Sequence, residues 1–272
     1  MCRVLGVSRS GYYAGRARRL SARRIGDRMV GERIKAIFTA SEATYGILRI
    51  QRRLREEGVN AGKNRLSRLM RELGLRVKTR RRFVVTTNAD HKRPVAPNLV
   101  AQKFEADAPD RLWTGDITYI PTAEGWLYLA VVLDVFSRRI VGWSMNERMK
   151  DDLVVEALRN ALYRRKPAAG FIFHSDRGSQ YCSKRYRAFL AKARGVQSMS
   201  STGSCYDNAI TESFFGSLKR ECVHHCRYQS RSAARSSLFS YIEAFYNRLR
   251  IHSAIGYMSP LQFEETFYRM AA

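Results

Sequence analysis

One continuous apolar run, residues 126–133, most constrains how this chain can fold. Its residues are apolar at even and odd positions alike, so a strand built from them is buried on both faces. Such a strand lies inside a sheet that helices cover on either side. The run is far too short to span a membrane. It therefore predicts a layered α/β domain.

Short β-rich and helical segments alternate around this run. Strands are predicted at 112–120, on both sides of a turn at 137–139, at 171–176 and near 196–199, with helices at 151–165, at 184–193 and from 209 onward. Three strands followed by helix, strand, helix, strand and helix is the order of a ribonuclease H-like core. We expect a mixed five-stranded sheet with flanking helices.

The first part of the chain shows helical periodicity and many basic residues. Apolar stripes predict a helix over 20–38 and two shorter helices, 47–54 and 66–73, joined by a glycine-containing turn, as in a helix-turn-helix. The second short helix is expected to present its basic side chains outward to DNA. The predicted DNA contacts here are Lys63, Arg65, Arg68 and Arg71, followed by Arg80, Arg81 and Arg82 in a basic tail. An ordinary helical hairpin with a charged solvent face is the alternative.

The net charge of +25 is unevenly distributed, because residues 1–93 hold 25 basic and 7 acidic residues. This excess favours a polyanionic partner, since each neutralised phosphate releases counterions. A merely soluble cationic surface is the alternative. No lysine-rich face is paired with a clean apolar one, and no signal peptide is visible, so we expect a cytoplasmic protein without a membrane partner.

The composition also suggests where the domains lie. Three prolines and little periodicity mark 86–111 as a linker. The predicted organisation is a basic helical DNA-binding segment at 1–85, this linker, a ribonuclease H-like core at 112–225 and a C-terminal helical extension at 226–272.

Three carboxylates stand out within the predicted core. Asp116 lies mid-strand among apolar neighbours, where an uncompensated carboxylate is costly. Asp176 ends a strand and enters a polar loop, and ligands collect at such strand ends. Glu212 lies on a helix, away from the apolar stripe of that helix. Taken singly, each has an ordinary explanation, namely an arginine partner, a turn and a solvated face.

The sequence predicts where the helix that carries Glu212 begins and which of its sides is buried. Asp207 or Asn208 is well placed to cap its N-terminus. At about 100° per residue, Ile210, Phe214 and Leu218 cluster on one side. Lys219 lies two turns beyond Glu212 on the same side as that acid.

Together, acids from two strands and one helix suit hard divalent cations, Mg²⁺ or Mn²⁺. Three carboxylates can hold two such ions and leave positions open for a phosphate. Two ions activate the attacking oxygen and stabilise the leaving oxygen in an in-line displacement at phosphorus. Combined with the basic surface, this chemistry points to the DNA backbone as the substrate.

Several ordered motifs extend this reading to nearly the whole chain. They are "YGILRIQRRLREEG", "WTGDITY", "LDVFSRRIVGW", "HSDRGSQY", "DNAITESFFGSLKRE" and "YNRLRIHSAIGYMSP", with thirty-five residues between Asp176 and Glu212. The chain resembles the integrase-type transposases of bacterial insertion sequences, most of all the OrfB reading frame of the insertion-sequence-three family. It departs from the family's pattern at Gln102, where an arginine is more usual.

The resemblance implies a DDE triad at Asp116, Asp176 and Glu212, two Mg²⁺ or Mn²⁺ ions, and a contact of Lys219 with the transposon end. It also implies 3′-end cleavage followed by strand transfer, with element ends and a target duplex as DNA partners. Further implied partners are other copies of the chain on DNA and an upstream OrfA part, separate or fused by frameshifting. We expect nucleoid association when DNA is bound. Rival hypotheses are a ribonuclease H-fold nuclease without strand transfer and a catalytically silent DNA-binding protein.

For four further features the sequence pattern does not decide between a structural and a functional role. Asp134 is expected in a turn or in support of the site, because residues 137–139 offer local partners. His174 should face away from Asp176 and sit in the core or support the site. Arg250 and His252 either contact DNA or pack with the aromatic residues around them. The cluster "CVHHC", 222–226, has no second ligand pair, which argues against zinc.

Overall fold

The chain folds into two units, Met1–Val77 and Lys78–Ala272. The structure is a computed structural model that describes residues 2–17, 21–78, 94–101, 103–201 and 208–271. The predicted boundaries at 85, 111 and 225 stay predictions.

The first unit is helical throughout its regular structure. Its helices are α1 (Arg9–Ala17), α2 (Ala22–Ala40), α3 (Ile47–Glu56) and α4 (Lys63–Glu72). Ser21 caps α2 by accepting a hydrogen bond from the backbone N–H of Arg24. After α3 the chain turns at Gly58, whose φ of +75° lies in the left-handed region that glycine tolerates. The predicted pair of short helices therefore exists, with each bound shifted by a few residues.

Apolar stripes on these helices meet in a small core. Ile34 of α2, Ile50 and Leu54 of α3 and Leu66 of α4 are fully buried. Gln51 is also buried, and its side-chain amide donates to the carbonyl of Ala61 at 2.8 Å. This hydrogen bond satisfies a polar group inside the turn between α3 and α4.

A mixed five-stranded sheet forms the centre of the second unit. Its strands are β1 (Leu112–Thr122), β2 (Gly125–Asp134), β3 (Ile140–Asn146), β4 (Ile172–Ser175) and β5 (Val196–Met199). They lie in the order β3-β2-β1-β4-β5. The pairs β1–β2 and β2–β3 are antiparallel, whereas β4 runs parallel to β1 and β5 parallel to β4. The predicted mixed sheet is confirmed, and β1, which carries Asp116, is its central strand.

Helices cover both faces of this sheet. They are α5 (Asp151–Arg165), α6 (Lys184–Lys192), α7 (Ala209–Glu221), α8 (Arg231–Phe239) and α9 (Pro260–Ala271), with a π-helical turn at Ser240–Tyr246. Trp113, Ala130 and Val132 pack with buried residues of α5 and α6 on one face. Thr114, which points the other way, contacts α7. The ribonuclease H-like layering predicted from the apolar run is therefore confirmed.

Helix α5 packs unusually closely on β3 at Gly142. A Cβ at this position would lie 2.4 Å from the carbonyl oxygen of Ala157 and 2.6 Å from the Cβ of Ala161. Only glycine lets the helix backbone approach the strand this closely. Among the described helices, none is both long and apolar enough to cross a membrane.

Candidate active site

Strand pairing brings Asp116 and Asp176 side by side. The β1–β4 register ends with Gly115 opposite Ser175; Asp116 is the next residue of β1, and Asp176 directly follows β4. Neighbouring strands are ~4.8 Å apart, so the two aspartates lie at adjacent positions where the β1–β4 pairing ends. Asp116 and Asp176 are sixty positions apart in the sequence, and the parallel pairing of β1 with β4 makes them neighbours.

Backbone N–H groups orient both carboxylates. Ile117 donates to Oδ1 of Asp116 at 2.7 Å, and Gly178 donates to Oδ1 of Asp176 at 2.9 Å. A Cβ at Gly178 would lie 2.9 Å from that same Asp176 oxygen, so glycine makes room for the carboxylate. These two hydrogen bonds fix the orientation of the aspartate side chains.

A buried hydroxyl pair fixes the helix that carries Glu212. Thr211 of α7 donates to the hydroxyl of Thr114 on β1 at 2.8 Å, and both residues are fully buried. Thr114 lies two positions before Asp116 on the same strand face, and Thr211 directly precedes Glu212. The sequence analysis missed this pair, because a threonine in a strand or helix carries no signal for a partner 97 residues away.

The amphipathic reading of α7 is confirmed. Ile210, Phe214 and Leu218 are buried, whereas Glu212 in the first turn is exposed. Asn208 occupies the N-cap position but its side chain makes no capping hydrogen bond. Within the described ranges its buried Oδ1 has no hydrogen-bond partner. The other candidate cap, Asp207, lies outside the described residues.

The carboxyl groups influence one another electrostatically. Burial and the charge of Asp176 raise the pKa of Asp116 well above its ordinary value; Glu212 raises it further, against the Ile117 hydrogen bond and Lys219. Burial and the charge of Asp176 also raise the pKa of Glu212. Mutual repulsion of this kind is relieved by a cation, so the electrostatics fit a metal site.

The donor set also fits hard cations, although it is not closed around one. Three carboxylates are the oxygen ligands that Mg²⁺ prefers. Over the part of the chain that the structure describes, no three His, Cys, Asp or Glu side chains are gathered closely enough to hold an ion as they stand.

Lys219 is a basic residue whose charge acts on this acidic group, because it lowers the pKa of Asp116. Only 8% of the residue is exposed, and its Nζ lies 4.8 Å from the centre of the Tyr119 ring. Burial lowers the pKa of Lys219, while the charge of Asp116 acts in the opposite direction. Its burial and its contact with Tyr119 were not foreseen from the helical pattern.

Two basic side chains of α4 also make ion pairs with α2. Arg65 and Arg68 were predicted to face outward to DNA; both are partly exposed and bind Asp27 of α2, at 2.7 and 2.5 Å, so their contact with DNA stays a prediction. Hydrogen bonds from Arg68 and Arg65 lower the pKa of Asp27. These ion pairs satisfy a mostly buried carboxylate and join two helices.

The remaining predicted DNA contacts of the first part have two outcomes. Lys63 and Arg71 are exposed, so their predicted role in DNA contact remains open. Arg80, Arg81 and Arg82 lie outside the described residues, as does Gln102.

Arg250 requires a correction, because it is an interior residue. It is 3% exposed and forms two 2.8 Å hydrogen bonds to Glu221, one to each carboxylate oxygen. Tyr241 donates to the same carboxylate. A buried arginine held this way cannot reach DNA; the packing alternative holds. His252 is partly buried and lies edge-on to Tyr246 with ring centres 4.9 Å apart.

Two other predicted features are explained by local contacts. His174 is fully buried, as predicted, with Nδ1 2.8 Å from the hydroxyl of Ser198. It pairs with Thr114 and lies two positions before Asp176, so it shares the sheet face of that acid, and the prediction that it faces away was wrong. Cys222 Sγ lies 3.4 Å from the hydroxyl of Tyr228 and 3.3 Å from that of Ser237. The side-chain contacts of Cys222 are thus with hydroxyl groups.

Asp134 is fully buried at the end of β2 and accepts hydrogen bonds in a turn. Its oxygens accept from the backbone N–H and hydroxyl of Ser137 and from the N–H of Asp110. The Ser137 hydroxyl also lies 2.8 Å from Oε1 of Glu264. The Ser137 hydroxyl has one hydrogen and can donate it to only one carboxylate at a time. Its contacts with Asp134 and Glu264 are therefore both hydrogen bonds only when one of those two acids is protonated and donates to the hydroxyl oxygen.

This arrangement predicts a pH dependence of stability. Burial raises the pKa of Asp134 to about 6, above the unfolded value, so its stabilisation is full below about pH 4 and is lost as the pH rises through 6. From pH 4 to 7 the loss is about 2 kcal/mol. Urea unfolding of wild type and Asp134→Asn across this range measures it: the difference between their unfolding free energies should shift by that amount in favour of the variant. Parallel profiles would contradict the assignment.

Comparisons with known proteins agree with the fold. An HTH-like domain matches residues 25–83, and two integrase core domain models match 106–205 and 212–267. An uncharacterized 31 kDa protein of insertion element IS600 from Shigella sonnei is 47% identical over the full length of both chains. Transposase InsF for insertion sequence IS3A from Escherichia coli K12 is 46% identical, covering 97% of this chain and 92% of that one.

A solved structure is similar in fold. A chain of the simian T-cell lymphotropic virus intasome, in complex with PP2A regulatory subunit B56 gamma, aligns with a TM-score of 0.50. It is 15% identical and the match covers 79% of this chain and 70% of that chain. At this identity the likeness shows the fold alone.

Sheet topology, helix-turn-helix and integrase core together define the class, a DDE polynucleotidyl transferase that binds DNA. Within that class, the chain belongs to the insertion-sequence-three family of transposases. The integrase-core family is metal-dependent.

Proposed function

We propose that Asp116, Asp176 and Glu212 are the catalytic carboxylates with which this transposase cleaves the 3′ ends of an insertion sequence and joins them to target DNA. The observation that carries this proposal is the adjacency of Asp116 and Asp176 at the end of the β1–β4 pairing. The Thr211–Thr114 hydrogen bond, which fixes the Glu212 helix to the same strand, supports it further.

Two divalent cations, Mg²⁺ or Mn²⁺, held by these three carboxylates would neutralise charge at the phosphate and activate the attacking oxygen. The backbone N–H groups of Ile117 and Gly178 fix the two aspartates for this task. Glu212, exposed in the first turn of α7, supplies the third carboxylate. Because burial and neighbouring acids raise the pKa of Asp116, protons compete with cations for this carboxylate at low pH.

Both reaction steps are displacements at phosphorus. In the first, the oxygen of water bonds to the phosphorus at the element end, the bond from phosphorus to the 3′-oxygen breaks, and that oxygen takes up a proton. In the second, the freed 3′-oxygen bonds to a target phosphorus and displaces the target's own 3′-oxygen. The number of phosphodiester bonds is unchanged in the second step, so no covalent protein intermediate or external energy source is required.

The partners follow from the same chemistry. An element has two ends, and concerted joining of both requires more than one copy of the site, so we propose a homo-oligomer on DNA. The family resemblance supports an OrfA part as a further partner. Because the substrate is chromosomal and element DNA, we propose that the protein acts in the bacterial cytoplasm at the nucleoid.

A joining assay tests this function against its rivals. A labelled duplex carrying a pre-cut element end is incubated with the full chain, a supercoiled target plasmid and Mg²⁺ or Mn²⁺. A transposase covalently attaches the label to the plasmid. A nuclease of the same fold only hydrolyses DNA, and a silent DNA-binding protein leaves both DNAs intact, so either of those outcomes would overturn the proposal.

A further inference from the structure

A half-exposed tryptophan lies near the turn of the β1–β2 hairpin, whose strand β1 carries Asp116. Trp126, near the start of β2, is 49% exposed, whereas Trp113 on β1 is fully buried. The β1–β2 register pairs Trp126 with Pro121 and Tyr119 with Tyr128, which puts the two aromatic residues on one face of the hairpin. Their ring centres are 5.0 Å apart at an interplanar angle of 84°. The edge of one ring thus supports the other in a favourable geometry.

The aromatic pair is connected to the acidic group through Lys219. The Nζ of Lys219 lies 4.8 Å from the centre of the Tyr119 ring, a cation–π contact. The charges of Lys219 and Asp116 act on each other. Lys219 therefore contacts the Tyr119 ring that supports Trp126, and its charge also acts on Asp116.

Hydrogen bonds to Arg231 and Tyr228 fix the backbone of the hairpin around Trp126. Arg231 at the start of α8 donates from Nε to the carbonyl of Trp126 at 3.3 Å, and its backbone N–H donates to Glu124 at 2.8 Å. Ala123 at the hairpin turn donates to the carbonyl of Tyr228 at 2.9 Å. A large apolar ring fixed in position and left half in water offers a preformed binding surface.

We propose that Trp126, supported by Tyr119, stacks on an unpaired base near the end of the element DNA. This inference rests on the proposed function. A base out of the duplex stack exposes a flat apolar face that matches the indole, and its backbone phosphate suits the guanidinium of Arg231 beside Trp126. Bases inside a duplex have both faces covered by their neighbours and cannot stack in this way.

The position of Trp126 along the strand limits which base it meets. Pro121, its partner in the register, lies five residues beyond Asp116. At ~3.4 Å per residue this is about 17 Å along the strand. The same distance spans about five stacked nucleotides at ~3.4 Å each. The stacked base therefore belongs to the last few nucleotides next to the scissile phosphate, where opening of the duplex end frees it.

Binding without metal tests the proposal. The Kd of the full-length protein is measured by fluorescence anisotropy for labelled oligothymidylate of about 12 nucleotides and for a blunt duplex of equal length. Trp126→Ala should weaken single-strand binding by about 5- to 140-fold, the equivalent of the ~1–3 kcal/mol that base–aromatic stacking contributes, with a much smaller change for the duplex. Trp126→Phe should keep most of the affinity. Tyr163→Ala, which removes an 83% exposed ring on α5, is the matched control and should change neither Kd.

Three outcomes would overturn the stacking role: an unchanged Kd for Trp126→Ala, an equal loss for both DNAs, or a loss that Trp126→Phe shares in full. Melting temperatures of the variants separate a folding defect from a binding defect. The outcome is independent of catalysis because no metal is present. If wild type fails to join DNA, the proposed function fails while this comparison still stands. If it joins DNA and the Kd values are unaltered, only the stacking role fails.

Discussion

Replacing Asp116 with asparagine is expected to abolish metal-dependent cleavage and joining while making the fold more stable. Asparagine keeps an oxygen that accepts the 2.7 Å hydrogen bond from Ile117 but lacks the charge that binds a cation. Loss of a supporting partner of a metal ligand typically costs 10- to 100-fold in activity, so loss of a ligand itself should cost at least about 10³-fold. Cleavage rates in Mg²⁺ and in Mn²⁺ measure this effect.

The gain in stability has a separate physical cause. Burial, Asp176 and Glu212 raise the pKa of Asp116, which means that its ionised form destabilises the folded chain. Removing the charge should raise the unfolding free energy by about 0.5–2 kcal/mol, the usual range for such relief. Because the folded-state pKa is raised, the gain should grow as the pH rises through that pKa. Asp107→Asn, at an exposed acid of the same unit, should change neither property. An active Asp116→Asn enzyme would contradict the assignment.

Replacing Arg250 with alanine is expected to destabilise the second unit severely. The guanidinium forms two 2.8 Å hydrogen bonds to Glu221 and one of 3.0 Å to Ser217, in a buried setting. Removing one partner of a buried pair leaves an uncompensated carboxylate and typically costs about 3–5 kcal/mol. Urea unfolding followed by circular dichroism measures the loss.

Arg248→Ala is the matched control, because that arginine is exposed two positions away. It should alter the unfolding free energy by less than about 0.5 kcal/mol. If Arg250→Ala instead keeps its stability and loses DNA affinity, the residue contacts DNA as first predicted from the sequence, and its placement in the interior would be contradicted.

The parts of the site that were predictable follow from local patterns. The apolar run 126–133 predicted a strand buried on both faces. That strand is β2, which is buried on both faces over 129–133, whereas Trp126 at its start is half exposed. The stripe Ile210, Phe214 and Leu218 predicted which side of α7 is buried and left Glu212 exposed. Periodicity decides such features because burial of apolar surface dominates folding.

The parts that were not predictable depend on partners chosen across the fold. Arg65 and Arg68 bind Asp27 across 38 and 41 residues, and Arg250 binds Glu221 across 29. In a chain with 49 basic residues, each arginine has the same local appearance whether it faces DNA or a buried acid. Specific ion pairs depend on three-dimensional packing, which cannot be derived from the local pattern of a single sequence.

The same limit applies within the site itself. The helical pattern put Lys219 on the side of α7 that carries Glu212, but its burial against Tyr119 depends on how α7 docks on the sheet. That docking includes the Thr211–Thr114 hydrogen bond between residues 97 apart. The spacing of residues in the sequence thus identified Glu212 and Lys219 as candidate site residues. Tertiary packing determines which of these side chains is accessible to water and DNA.

The most direct test of the central claim is the joining assay with Glu212→Gln. Glutamine has the shape of glutamate without the charge that a cation requires, and Glu212 is exposed, so the fold should be unaffected. Wild type and the control Glu265→Gln, at an exposed acid on α9, should both attach a pre-cut element end to the plasmid in Mg²⁺ or Mn²⁺. The account predicts that Glu212→Gln binds the same DNA but forms no joined product. Joining by Glu212→Gln at the wild-type rate would contradict it.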